Sequence, residues 1–182
     1  MKRIVVPIFL ALSWCGCGSS EPDLPFSQMS KEDGARCVQA IRDQVADMHR
    51  KFIDGALDEY IDYMPEHFIE LAEGRAAIKE LIQLDMAQAA EQLESASLGD
   101  VSEIVDEEGF LAAFVPLEML CNFPDGQYLR KGYYIASSTD DGKTWQFLSG
   151  QGDQAQDNYF RYQYPNLTQF IPFPECTYTK VK

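Results

Sequence analysis

Phe110-Leu111-Ala112-Ala113-Phe114-Val115-Pro116-Leu117-Glu118-Met119-Leu120-Cys121-Asn122-Phe123, then Pro124-Asp125-Gly126, then Tyr128 to Thr139, is the stretch that decides the fold. Both arms are long, rich in aromatic and β-branched residues, and lack the three-and-four spacing of a helix. Pro-Asp-Gly between them is turn chemistry, so the pair reads as an antiparallel hairpin. Pro116 lacks a backbone donor, which predicts an edge position or a bulge in the first arm. Upstream, Leu98 to Val105 reads as a strand and Asp106 to Gly109 as a turn. Downstream, Thr144 to Ser149 reads as a further strand.

Before residue 97 the period is helical. Ser30 with Asp33 forms a capping box. Val38, Ile41, Val45, Met48 and Phe52 then recur as one apolar stripe, ended by Asp54-Gly55. Ala56 to Tyr63 reads as a short second helix stopped before Pro65. Glu73-Gly74 opens a third, with Ile78, Ile82, Met86, Ala89 and Leu93 along one face. Helices first and an antiparallel meander afterwards make an α+β domain, with three N-terminal helices on one sheet face.

Composition excludes several classes. Twenty-nine acids against fifteen Lys and Arg give a net charge of −14, which loss of Lys2 and Arg3 with a leader takes to −16. Such a surface repels nucleic acid and anionic headgroups. With two histidines and no Cys-x-x-Cys or Cys/His cluster, no metal or cofactor is expected.

The leader is readable in Met1-Lys2-Arg3, the apolar run Ile4 to Leu12, and Ser13-Trp14-Cys15-Gly16-Cys17. The run is half of the about 20 apolar residues that cross a bilayer, so it reads as an export signal. The cysteines resemble those of bacterial lipoprotein signals, which implies a lipid on the Cys that becomes residue one. Gly16 satisfies the small-residue demand before Cys17; Cys15 is the alternative, with Leu12 and Ser13 well placed but bulky Trp14 before it. The expected organisation is a signal peptide over 1–16, a flexible tether over 17–29 and one domain over 30–182. The resemblance implies a bacterial cell envelope location, on the outer membrane or the periplasmic side, with the lipid bilayer as a partner.

Cys37, Cys121 and Cys176 remain in the body. Three thiols in an oxidising compartment suggest one disulfide and one buried spare, with Cys176 favoured as a member of the pair. Ser138, Asp140, Gly142, Thr144 and Trp145 match Ser-x-Asp-x-Gly-x-Thr-Trp and resemble the Asp-box hairpin repeated in sialidases. One copy in a chain this short leaves no room for a propeller, so the motif reads as structural: Ser and Asp oxygens accept the turn's N–H groups. Calcium at Asp140 and Asp141 is the alternative reading.

A long helix, a short one over Tyr60-Ile61-Asp62-Tyr63-Met64-Pro65, and Glu73-Gly74-Arg75-Ala76-Ala77-Ile78 opening a third resemble the nuclear transport factor 2-like superfamily over roughly 31–150. The resemblance implies a cone-shaped curved antiparallel sheet around an apolar pocket. It includes ketosteroid isomerases, scytalone dehydratases and polyketide cyclases, as well as members that only bind or dimerise. The isomerases use an aspartate base with a tyrosine and a protonated acid; the dehydratases use His, Asp and Tyr. No residue here matches a family catalytic position, so no catalytic residue is assigned.

Within such a cone Tyr60, Tyr63 and His67 are placed near the mouth, and Glu118, Tyr128 and Tyr133 on the walls, as possible pocket residues. Glu118 lies on the face of Phe114 and Leu120, and both faces of that strand are apolar. His49, one residue past the helical stripe, is expected to be solvated. Asp100, Glu103, Asp106, Glu107 and Glu108 read as a solvated strand and turn. Tyr159 to Pro174 alternates aromatics with prolines, which argues against a regular element. The tail over 151–182 is expected to cover a sheet edge or cap the cone, or to serve a homodimer. Two functions follow: a non-catalytic envelope protein that binds a small apolar ligand or a protein partner, or a cofactor-independent isomerase or dehydratase acting on a hydrophobic ring compound.

Overall fold

The structure is a computed structural model that describes residues 29–89, 93–150 and 152–181, apart from the side chains of 85–89 and 93. The expected signal peptide, nearly all of the tether, Cys15 and Cys17 lie outside the described residues. The chain runs α1 (Lys31–Ile53), α2 (Leu57–Ile61), α3 (Glu66–Leu71), α4 (Arg75–Ala89), β1 (Leu93–Leu98), β2 (Val105–Asp106), β3 (Leu111–Phe123), β4 (Gly126–Ser138), β5 (Gln146–Gly150), α5 (Gln154–Gln163), α6 (Pro165–Phe170) and β6 (Thr177–Lys180). It is α+β with a six-stranded antiparallel sheet.

The hairpin β3–β4 is the spine, each arm thirteen residues long and paired from Leu111↔Ser138 to Phe123↔Gly126. Each outer edge is shared by two short strands. On β3, β1 holds Leu117 to Cys121 and β2 holds Leu111 and Ala112. On β4, β5 holds Tyr133 to Ser137 and β6 holds Tyr128 to Lys131. Pro116 falls in the gap between β1 and β2. Its carbonyl accepts Gly99 N at 2.8 Å, so the donor it lacks would point at that same gap and no ladder bond is lost. The strand expected over 98–105 is therefore displaced: β1 begins at Leu93, and 99–104 is loop. That loop still tracks β3, with Ser102 N donating to Phe114 O and Phe114 N to Ser102 Oγ, both at 2.9 Å.

Both faces of the sheet are covered, which corrects the expectation of helices on one face only. Alternation puts Ala113, Val115, Tyr134 and Ala136 on the first face, where they meet Cys37, Ile41, Val45 and Met48 of α1 with Trp145 and Phe147. The buried stripe starts at Cys37, with Val38 half-exposed. Ala112, Phe114, Tyr133 and Ile135 form the second face, beneath Phe160 and Tyr164 of α5 and its cap and Leu167 of α6. The tail is thus helical, against the expectation of no regular element. Asp153 Oδ1 accepts Gln156 N at 2.9 Å to start α5. Pro165 opens α6 at its first position, where no donor is missed.

Among the described residues four helices, not three, precede the sheet, because 66–71 forms the additional α3. Leu57, Ile61, Ile69, Ile78 and Ile82 make a satellite core among α2, α3 and α4. Arg75 pins α4 to α2, donating to Asp58 O at 2.8 Å and Asp62 Oδ1 at 2.6 Å. The Gly-Arg start of that helix is therefore a packing device.

Candidate functional site

The Asp-box hairpin locks α1 to the sheet. Asp140 Oδ1 accepts the Ser138 hydroxyl and Thr144 N at 2.9 Å each and Lys143 N at 3.2 Å; Oδ2 accepts the Thr144 hydroxyl at 2.7 Å. These bonds, Thr144 N foremost, hold the Asp140 carboxyl down to about 2. Gly142 has φ +79°, and Trp145 Nε1 donates to its carbonyl at 3.0 Å. Gln44 of α1 closes the joint: its Oε1 accepts Trp145 N at 2.8 Å and its Nε2 donates to Lys143 O at 3.0 Å. Both carboxylate oxygens of Asp140 accept bonds within the turn, while Asp141 is exposed. Among the described residues no group of His, Cys, Asp and Glu is placed to hold a metal ion.

The first sheet face is only half sealed. Over β3 up to Leu117 and β4 from Gly132 the stripe of α1 leaves those side chains buried. Beyond, the same face carries Met119, Cys121 and Phe123 of β3, Tyr128 and Arg130 of β4, Ala96 of β1 and Tyr178 of β6, all partly or largely exposed. Tyr128 and Tyr178 stack at 4.7 Å, and Phe123 meets both edge-on at 5.4 and 5.8 Å.

At the junction of the sealed and open halves stands a pair missed in the sequence. His49 Nε2 and Tyr134 Oη are 2.8 Å apart. Burial pulls the His49 imidazole below its usual range and pushes the Tyr134 phenol well above its own, so both are neutral at pH 7. His49 is therefore not the solvated histidine expected. The only available hint was its place one residue beyond Met48 on α1, and its partner lies 85 residues away.

The six sequence candidates do not converge. Tyr60 packs on Phe52 at 5.3 Å near this junction. Tyr63 donates to Asp47 Oδ2 at 2.5 Å, and its carbonyl accepts Phe147 N at 2.7 Å. Tyr128 lies on the open half and donates to Asp125 Oδ2 at 2.6 Å. Tyr133 is on the opposite face, buried edge-on against Phe114 at 5.3 Å, with its hydroxyl on Asp157 Oδ1 at 3.2 Å. Glu118 points outward on that second face and pairs with Lys131 at 3.1 Å. His67 is exposed and borders a cleft of about 150 Å3 with Gln146, Gln163 and Tyr164. That volume is below the roughly 300 Å3 at which drug-sized ligand pockets begin.

Glu107 departs from the solvated turn expected for it. It is 6% exposed, and its carboxylate accepts Leu167 N at 2.6 Å and Asn166 N at 3.0 Å, capping α6 from the end of β2. Burial pushes its carboxyl up against the opposing pull of those two N–H groups. Its role is structural. Cys37, Cys121 and Cys176 are free thiols in separate surroundings. Cys37 is buried beside Gly142 in the α1 core, Cys121 sits on the open half-face, and Cys176 lies against Gly152 near the tail.

Among the described residues no helix is long and apolar enough to cross a membrane. Comparison of the chain with protein-family models, curated proteins and solved structures finds no match.

Proposed function

We propose that this chain is a lipid-anchored bacterial envelope protein of nuclear transport factor 2-like fold, tethered through Cys17 or Cys15. In this reading it binds a small apolar ligand without catalysis on the open half of the first sheet face. The observation that carries the binding reading is that half-face itself. Met119, Cys121, Phe123, Tyr128 and Tyr178 stay accessible while the other half of the same face is sealed by α1. Contiguous exposed apolar surface on an otherwise acidic protein marks an interaction site. The leader sequence supports the anchor, and the order of helices before an antiparallel sheet supports the fold relationship; the helical layer over the second face is a departure from it.

A fluorescence titration with N-phenyl-1-naphthylamine tests the site. Tyr128→Ala and Met119→Gln are expected to weaken binding by about tenfold, a 1.4 kcal/mol loss, with the melting temperature little changed. Unchanged affinity in both variants refutes it. The mass of the mature N-terminal peptide tests the anchor: a diacylglycerol on Cys17 or Cys15 supports it, and an unmodified thiol there refutes it. Size-exclusion chromatography with light scattering separates a ligand face from a homodimer face, since the dimer reading requires twice the chain mass.

A second reading rests on the neutral His49–Tyr134 pair at the edge of that face. A neutral imidazole beside a phenol can take a proton next to a ring carbonyl and return it elsewhere, the chemistry of a cofactor-independent isomerase. It requires deuterium wash-in from D2O at the α-carbon of a bound ring ketone, lost in His49→Gln. Absence of wash-in in the wild type leaves binding alone.

A further inference from the structure

Resting on the ligand-face reading, the geometry points to the chemical class of the occupant: we infer an amphipathic monocarboxylate, its carboxylate on Arg130 and its apolar body on Met119, Tyr128 and Tyr178. Arg130 lies in the middle of the open half-face, paired in register with Met119 of β3 and Tyr178 of β6. It is half-buried and makes no hydrogen bond or ion pair with any described residue. The other described arginines differ. Arg36, Arg42, Arg50 and Arg75 each pair with an aspartate, and Arg161 lies over the Phe173 ring at 4.7 Å.

A partly desolvated guanidinium without an anion is costly, and the chain does not lack acids: 29 are present. None of the described acids is placed on this half-face. Asp125 at the hairpin tip is already held by Tyr128 and Lys180, and Glu94 by Asn122 and Gln127 on the opposite face. The planar fork of an arginine matches a carboxylate with two parallel hydrogen bonds, and the stacked tyrosines beside it match an apolar or aromatic body. One guanidinium balances one charge. The field of a protein at −14 penalises a second, which favours a monoanion over a phosphate or sulfate ester.

The test is an NMR titration of the purified protein with 4-phenylbutyrate and its neutral twin 4-phenylbutanamide, repeated on Arg130→Gln. The acid is expected to shift the backbone amides of Met119, Arg130 and Tyr178 and to bind at least about tenfold tighter than the amide. Arg130→Gln should bind the two alike, at the affinity the wild type shows for the amide. Equal affinities in the wild type, or an acid preference that survives in Arg130→Gln, overturns the assignment of Arg130 while leaving the ligand face standing. Shifts from neither probe at these amides overturn the ligand face and the inference together.

Discussion

Replacing Asp140 with Asn separates the charge of the Asp-box carboxylate from its shape. Asn keeps an oxygen for Lys143 N and Thr144 N but loses the negative charge that four donors converge on. Holding the carboxyl at about 2 instead of 3.8 is worth about 2 kcal/mol at 1.36 kcal/mol per tenfold. The loop is partly wet, so solvent screening cuts this to about 1 kcal/mol. Weakening of the Thr144 hydroxyl bond adds about 0.5 kcal/mol. The expected loss at pH 7 is about 1–2 kcal/mol, or a melting temperature lower by about 3–6 °C. The folded-state value lies below the unfolded one, so this stabilisation is complete above pH 4 and drains away as pH falls toward 2. By pH 3 about half of the charge contribution is left. Urea unfolding followed by Trp145 fluorescence from pH 7 to pH 3 reads the gap directly, since Trp145 is buried in the α1 joint. A gap below about 0.3 kcal/mol at pH 7, or one constant down to pH 3, refutes the reasoning.

Three further outcomes follow from the same packing. Gly142→Ala forces a side chain at φ +79° with its Cβ 2.3 Å from Cys37 Sγ; it should cost about 2–4 kcal/mol by chemical denaturation, and Cys37→Ala in the same chain should relieve only the steric share. Strict additivity of the two changes rules out that contact. Glu107→Ala leaves two buried N–H groups of α6 unpaired and should cost about 2–4 kcal/mol, with Glu107→Gln milder. Because burial raises the Glu107 carboxyl, its charge opposes folding at neutral pH, so the wild type should gain on the Gln variant as pH falls through that raised value; a flat difference contradicts this. His49 resists protonation when folded, so stability should fall as pH drops below 6.5, and His49→Phe should remove that slope in thermal scans at pH 5 and 7.

What was legible in the sequence was local. The 138–145 turn makes its principal bonds within eight residues, so residue types alone dictated it. The β3–β4 hairpin was legible because its turn carries Pro124-Asp125-Gly126, and α1 because Ser30 caps it in place, accepting Asp33 N at 3.1 Å. The tail's helices are hidden in the sequence because its prolines read as breakers. Pro165 instead occupies a helix start, and Phe160, Tyr164 and Leu167 share one buried spacing that a helical count would have caught. The site was least legible. His49–Tyr134, Glu107 with α6, and Arg130 beside Tyr178 are brought together by pairings tens of residues apart, and no window of sequence contains them.

The split edges of the sheet give its central hairpin two mechanical regimes. Near Leu111–Leu117 and Gly132–Ser138 the backbone is clamped by α1 above and by α5 and α6 below. Toward Phe123 and Gly126 it is held laterally by β1 and β6, with a register irregularity between Leu93 and Ser95 loosening one of those braces. Amide exchange should therefore run as a gradient along both arms, slowest at Ala113 and Ile135 and fastest toward the tip. A molecule settling on the looser end would act as the missing clamp, stiffening the hairpin along its length.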